Sequence, residues 1–216
     1  MGKIIIANKP KGKTSYQIIR EFKKKLDTKK IGHAGTLDPF ASGVLILLIG
    51  KATKKFSYFQ TLDKTYLLTI QLGQSTDTLD SEGKITKQIP WQKIDKSTLT
   101  KPNLNKILKS FQGTQTQTIP AFSAAKYKGK PFYYYARQNI PPPDRQKTIT
   151  IKKINLTKII SNAPYPQIEI KVICSSGSYM RQLAVDIGNK LDYPAHAKEL
   201  KRIKVGDYSL DKAVTP

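Results

Sequence analysis

The chemically most suggestive residues lie between 30 and 54, in KIGHAGTLDPFASGVLILLIGKATK. A carboxylate, Asp38, and an imidazole, His33, share a loop punctuated by Gly32, Gly35 and Gly43 that leads into an apolar run. An aspartate before proline also commonly opens a turn or helix, its carboxylate capping backbone N–H groups while proline fixes the next φ. On local grounds Asp38 is therefore either a cap or a reactive group. His33 has no companions for a metal site: the other histidine is His196, and the single cysteine, Cys174, cannot build a zinc cluster.

A second concentration of chemistry falls in PAFSAAKYKGKPFYYYARQNI (120–140). Lys126, Lys128, Lys130 and Arg137 can meet phosphates, and the interleaved Tyr127, Tyr133, Tyr134 and Tyr135 offer flat faces for bases. Equally, such tyrosines could be core and the lysines merely solvated. On these residues alone the two readings stay open. The chain's 216 residues carry a formal charge of +23, with lysines in nearly every segment, which suits a polyanionic partner better than it suits an anionic membrane.

The elements that must hold these residues are legible in outline. Residues 3–7 read as a strand, and a helix is expected from Ser15 to about Leu26, with Thr14 and Gln17 as a capping box and Ile18, Ile19, Phe22 and Leu26 as its apolar stripe. Residues 41–50 are apolar throughout, and periodicity does not choose between helix and strand. Strands are expected at 65–72 and 84–89, joined by an acidic, glycine-ended turn, followed by a helix over 97–111. Residues 114–145 read as a long, largely irregular excursion, which in a compact domain is usually functional or disordered. Strands return at 148–156 and 167–174, the second ending in Cys174 as a buried apolar thiol. A helix then runs from Ser178 to Leu191 with Met180, Leu183, Ala184, Ile187 and Leu191 inward, and a last element covers 199–210. The pattern predicts one α+β domain over 1–216: a mixed, mainly antiparallel sheet flanked by helices and loops. No apolar segment approaches a membrane span, so a cytoplasmic protein is expected.

GHAGTLDPFASGVL closely resembles the catalytic motif of the TruB and dyskerin pseudouridine synthases, G-H-x-G-T-L-D-P-x-A-x-G-V-L. The resemblance extends along the chain. KPKGKTS is similar to the family's first motif, which supports the catalytic loop; DKTYLLTIQLGQSTDTLDSEG to its second block; residues 120–140 to the RNA-clamping insertion; CSSGSYMR to the last catalytic block; and AHAKELKRIKVG to the A-H-x-x-x-L-x-R-x-x-x-G segment. It implies that Asp38 is the catalytic carboxylate, that Tyr66 packs against the target base, and that Arg181 is the arginine that pairs with the catalytic aspartate. It further implies that His33 fills the space vacated by a flipped uridine, that Tyr179 contacts the base, that Leu200 walls the uracil pocket, and that Asp80 is a further polar residue of the site.

The implied activity is conversion of a tRNA T-loop uridine to pseudouridine after base flipping, with no cofactor and no metal. The expected partner is the tRNA T-arm; no membrane and no obligatory protein partner are expected, and the protein should be a monomer. The clamping insertion is placed at about 114–145. A C-terminal RNA-binding domain of the PUA type is not expected within this sequence, leaving its lysines to supply affinity. A non-catalytic tRNA-folding chaperone on the same scaffold is the alternative, but joint presence of Asp38, Tyr66 and Arg181 speaks against it. A guide-RNA-dependent, dyskerin-like synthase is a further alternative, disfavoured because that branch relies on the C-terminal domain.

Overall fold

A computed structural model of the chain describes residues 2–28, 30–161 and 165–216. Its strands are β1 (Gly2–Lys9), β2 (Ile31–Ala34), β3 (Ser42–Gly50), β4 (Lys64–Leu72), β5 (Gln74–Thr76), β6 (Ile85–Gln88), β7 (Gly113–Thr118), β8 (Lys126–Tyr127), β9 (Lys130–Pro131), β10 (Gln146–Ile160), β11 (Gln167–Cys174), β12 (Ala195–Val205) and β13 (Tyr208–Ser209). Its helices are α1 (Ser15–Lys25), α2 (Phe56–Thr61), α3 (Lys101–Lys109), α4 (Phe132–Ala136) and α5 (Met180–Lys190). The main sheet is ordered β1-β3-β12-β4-β11-β10-β7, with β2 also on β3 and β13 on β12; β5-β6 and β8-β9 are separate two-stranded pairs. The fold is the α+β class expected.

The chain forms two compact units: Met1–Leu67, Val172–Ser176 and Leu200–Pro216 make the first, Leu68–Lys171 and Gly177–Glu199 the second. In the first, the ambiguous apolar run is strand β3. Its reason is burial on both faces: Leu45 and Leu47 join Ile18, Ile19 and Phe22 of α1, whereas Val44, Ile46 and Leu48 join Phe59 and Val205. β1 pairs with it antiparallel over its whole length, from Gly2↔Gly50 to Lys9↔Gly43. β2 pairs antiparallel with residues 46–49, and β12 pairs parallel at Lys201↔Ser42 and Arg202↔Gly43. Gly43 has φ +106°, and a Cβ there would lie 2.2 Å from the Arg202 carbonyl oxygen, so this crossing requires glycine. The Thr14–Gln17 capping box opens α1 as expected, but Leu26, at its C-terminal cap, is 37% exposed and outside the stripe.

In the second unit, α5 buries Met180, Leu183, Ala184 and Ile187, and Leu191 is buried at its end. Leu104 and Leu108 of α3 and Ile149, Ile151 and Ile154 of β10 are also buried there. Two details differ from the sequence reading. The strand at 85–88 pairs with β5, not β4, because Gly73 at φ +89° turns the chain between them. Residues 113–118 are not part of an irregular excursion but form β7, in register with β10 from Gly113↔Ile151 to Thr118↔Gln146. Beyond it the excursion is itself folded. β8 and β9 make a hairpin whose turn residues, Lys128 and Gly129, both have positive φ, and Phe132 anchors α4 with no exposure.

Candidate functional site

The loop that carries Asp38 is held by buried side chains drawn from distant parts of the first unit. Lys9, fully buried, donates to the carbonyls of Pro10 (2.9 Å), Lys13 (2.5 Å) and Pro39 (3.2 Å). Ser15, the first residue of α1, uses one hydroxyl to bond both the N–H and the carbonyl of Leu37. Arg202, 1% exposed, donates through Nε to Val44 O (2.8 Å) and through its terminal nitrogens to Gly35 O (2.9 Å) and Thr36 O (3.4 Å). A buried cation is tolerable only when its donors are satisfied, and here main-chain carbonyls of the loop satisfy them. The consequence is a backbone fixed on both sides of Asp38. Asp38 itself is half-buried, and its carbonyl accepts from Ala41 N (3.1 Å), closing the turn that the Asp-Pro step begins.

Tyr66, on β4, is 8% exposed. Burial raises the pKa of its hydroxyl; the Arg202 charge and hydrogen bonding pull it back, and Asp38 pushes it up. These influences put the phenol, the guanidinium and the catalytic-motif carboxylate in one neighbourhood. His33, on β2 opposite Leu47, is held below the usual imidazole range by burial and then by Arg202, and its Nδ1 is buried without a hydrogen-bond partner. Both influences favour the neutral form of the ring. Leu200 is buried on β12, two residues before Arg202.

In the second unit Arg181 is 4% exposed in the first turn of α5. It donates to Thr78 O (2.6 Å) and Phe122 O (2.7 Å), and its Nε stands 3.7 Å from the Asp80 carboxylate. Asp80 accepts from Thr78 Oγ1 (2.7 Å) and Glu82 N (3.0 Å), so its carboxylate is oriented as well as charged. Tyr179 is the residue that precedes α5 as its N-cap, and Gln117 bonds both its N–H (2.8 Å) and its carbonyl (3.0 Å).

Lys126, Lys128, Lys130 and Arg137 are all exposed, and three of them sit over tyrosine rings: Lys128 over Tyr127 at 5.4 Å, Lys130 over Tyr134 at 4.1 Å, and Arg137 over Tyr133 at 5.3 Å. Lys130 also donates to the Tyr134 hydroxyl (2.8 Å). The Tyr135 hydroxyl donates to Tyr127 O (3.0 Å), which ties α4 back to the hairpin. Neither core nor simply solvated, these residues form a preset surface of cations and rings. Among the described residues no group of His, Cys, Asp or Glu could hold a metal ion, and no helix is long and apolar enough to cross a membrane.

Sequence reasoning did not single out Lys9, Ser15, Gln117 or Arg202. Lys9 and Arg202 stand inside recognised motifs, so a motif lysine or arginine with no assigned role was the available signal; Gln117 left none.

Residues 23–180 match the family described as TruB family pseudouridylate synthase (N terminal domain). The chain is 42% identical over 213 residues to the tRNA pseudouridine synthase B of Blochmanniella pennsylvanica, covering 99% of this chain and 78% of that one. It is also 42% identical over 214 residues to the protein of the same name from Bacillus subtilis, covering 98% and 68%. Among solved structures it resembles a chain of a Cbf5-Nop10-Gar1 complex, with a TM-score of 0.72, 26% identity and 98% of this chain covered. It spans about half the length of that solved chain, 51%.

Proposed function

The chain belongs to the TruB family of pseudouridylate synthases, and from that premise we propose that it converts a T-loop uridine of tRNA to pseudouridine. The reaction is an isomerisation. The N1–C1′ glycosidic bond breaks, the uracil turns, a C5–C1′ bond forms, and the proton lost from C5 is balanced by one gained at N1. No oxidant, reductant or nucleotide is consumed.

The observation that carries this reading is the Asp38 loop, a full catalytic motif whose backbone is pinned by Lys9, Ser15 and Arg202. Catalysis by a single carboxylate rewards such preorganisation, because small misplacements cost large factors in rate. In the proposed roles Asp38 is the catalytic carboxylate and Tyr66 packs on the uracil; Arg181, oriented by Asp80, supplies the guanidinium. Tyr179 and Leu200 contact the base, and the neutral ring of His33 enters the space left in the T loop. Neutrality suits that task, since a charged imidazolium would be costly to bury among stacked bases. Lys126, Lys128, Lys130 and Arg137 grip the RNA backbone, offsetting the few kcal/mol spent in extruding a stacked base. The protein acts on tRNA without an obligatory protein partner, as a cytoplasmic monomer.

The test is release of tritium from a tRNA transcript labelled at uracil C5, with purified protein alone. Release by the wild type and none by Asp38→Asn, with binding retained, is the expected outcome. Binding without release by the wild type would sink the catalytic reading.

A further inference from the structure

Tyr179, which precedes α5, and Arg181 in its first turn are both bonded by one short stretch of chain, residues 117–122, where the RNA-gripping insertion leaves β7; Arg181 is bonded to Thr78 and faces Asp80 as well. Gln117 is 3% exposed, and its carboxamide donates through Nε2 to the Tyr179 carbonyl (3.0 Å) while its Oε1 accepts from the Tyr179 N–H (2.8 Å). At neutral pH the carboxamide supplies a donor and an acceptor in that spacing, which an ionised carboxylate does not. The Tyr179 side chain makes no cap hydrogen bond to α5, and the paired bonds from Gln117 tie its backbone to β7. Five residues later the Phe122 carbonyl accepts from Arg181 (2.7 Å).

Two features border this stretch. An open surface groove of about 560 Å³ lies against it, lined by Leu79, Ile119, Phe122, Ala136, Ile140 and Gln182 among others, so the root of the insertion faces solvent on one side. Next to Phe122, the hydroxyl of Ser123 is buried without a hydrogen-bond partner, a cost that a shifted arrangement could remove.

We propose that Gln117 is a positioning residue that couples the insertion's grip on RNA to the placement of Tyr179 and Arg181. This rests on the function proposed above. RNA held by Lys126, Lys128, Lys130 and Arg137 loads the insertion, its root at 117–122 responds, and the Gln117 and Phe122 contacts pass that response to α5. The site is aligned by bound substrate, as an enzyme that must not release a free base requires.

Two readouts on Gln117→Met and Gln117→Glu test this. The first compares tRNA affinity by filter binding with the single-turnover rate of C5-tritium release. Methionine keeps the volume and removes both hydrogen bonds, so the rate should fall about 10²-fold, with affinity within about threefold. Glutamate keeps the acceptor for the Tyr179 N–H but, when ionised, sets its second oxygen against the Tyr179 carbonyl, so it should restore part of the loss only as pH falls and the carboxyl becomes a donor. The second readout is amide hydrogen exchange in the Asp38→Asn background with and without tRNA. Residues 179–183 should gain protection on RNA binding, and Gln117→Met should abolish that gain while RNA still binds. An unchanged rate in Gln117→Met, equal losses of rate and affinity, or an RNA-induced protection that survives the substitution would each overturn the inference. Because exchange needs no turnover, a wild type that releases no tritium would count against the functional reading alone.

Discussion

The hydroxyl of Ser15 accepts a hydrogen bond from the Leu37 N–H and donates one to the Leu37 carbonyl, each at 3.0 Å, fastening the residue before Asp38 to the first turn of α1. Both partners are buried. Ser15→Ala would strand the two peptide groups of Leu37 in the interior, a loss of about 1–3 kcal/mol. Urea unfolding should show it. The single-turnover rate should fall more than tRNA affinity does, since the loop carries chemistry and not grip.

Arg202 gives the stronger case. Arg202→Met leaves the carbonyls of Gly35, Thr36 and Val44 without their donor, and we expect a destabilisation of about 3 kcal/mol or more. Arg202→Lys retains the charge but not the planar fork that spans three carbonyls, so it should recover only part of that stability. Full recovery would show that charge and not geometry matters at this position.

Asp80→Asn keeps an oxygen for Thr78 and Glu82 but removes the charge facing Arg181. Because both side chains are buried, the guanidinium loses a facing charge, and a stability loss of up to about 3 kcal/mol is expected. Tritium release should drop at least tenfold, with affinity for tRNA much less affected. A release rate equal to wild type would remove Asp80 from the site.

Burial, and after it the charge of Arg202, holds the His33 pKa below its unfolded value of about 6.5. The unfolded chain then binds the proton more readily, so stability is complete above that value and is lost as pH falls through it toward the folded pKa. His196 shifts in the same direction, chiefly by burial. Urea midpoints measured from about pH 5 to about pH 8 should rise with pH in the wild type. His33→Gln should flatten the rise without abolishing it.

Affinity for tRNA should fall steeply with salt, since phosphate contacts release counterions. Replacing Lys126, Lys128, Lys130 and Arg137 together by alanine should reduce the slope of log affinity against log salt by about 3. A slope left unchanged would assign the grip to other lysines.

What the sequence determined by itself was whatever depends on neighbours along the chain or on a contiguous motif. The Thr14–Gln17 capping box, the inward stripe of α5, the buried Cys174 and the motif around Asp38 are of that kind. Their physics acts over one or two helical turns, so it is written in adjacent letters. Tertiary structure decided the rest. Residues 42–50 are a strand because α1 lies on one face and Phe59 and Val205 on the other, facts that no periodicity carries. The resemblance gave Asp80 a place in the site but no partner, and it is the fold that brings its carboxylate to Arg181. Lys9, Gln117 and Arg202 have roles set by the carbonyls and amides they reach: Lys9 crosses 30 residues to Pro39, Gln117 crosses 62 to Tyr179, and Arg202 crosses 158 to Val44. A buried polar side chain must find its partners in space, and only the folded backbone says where they are.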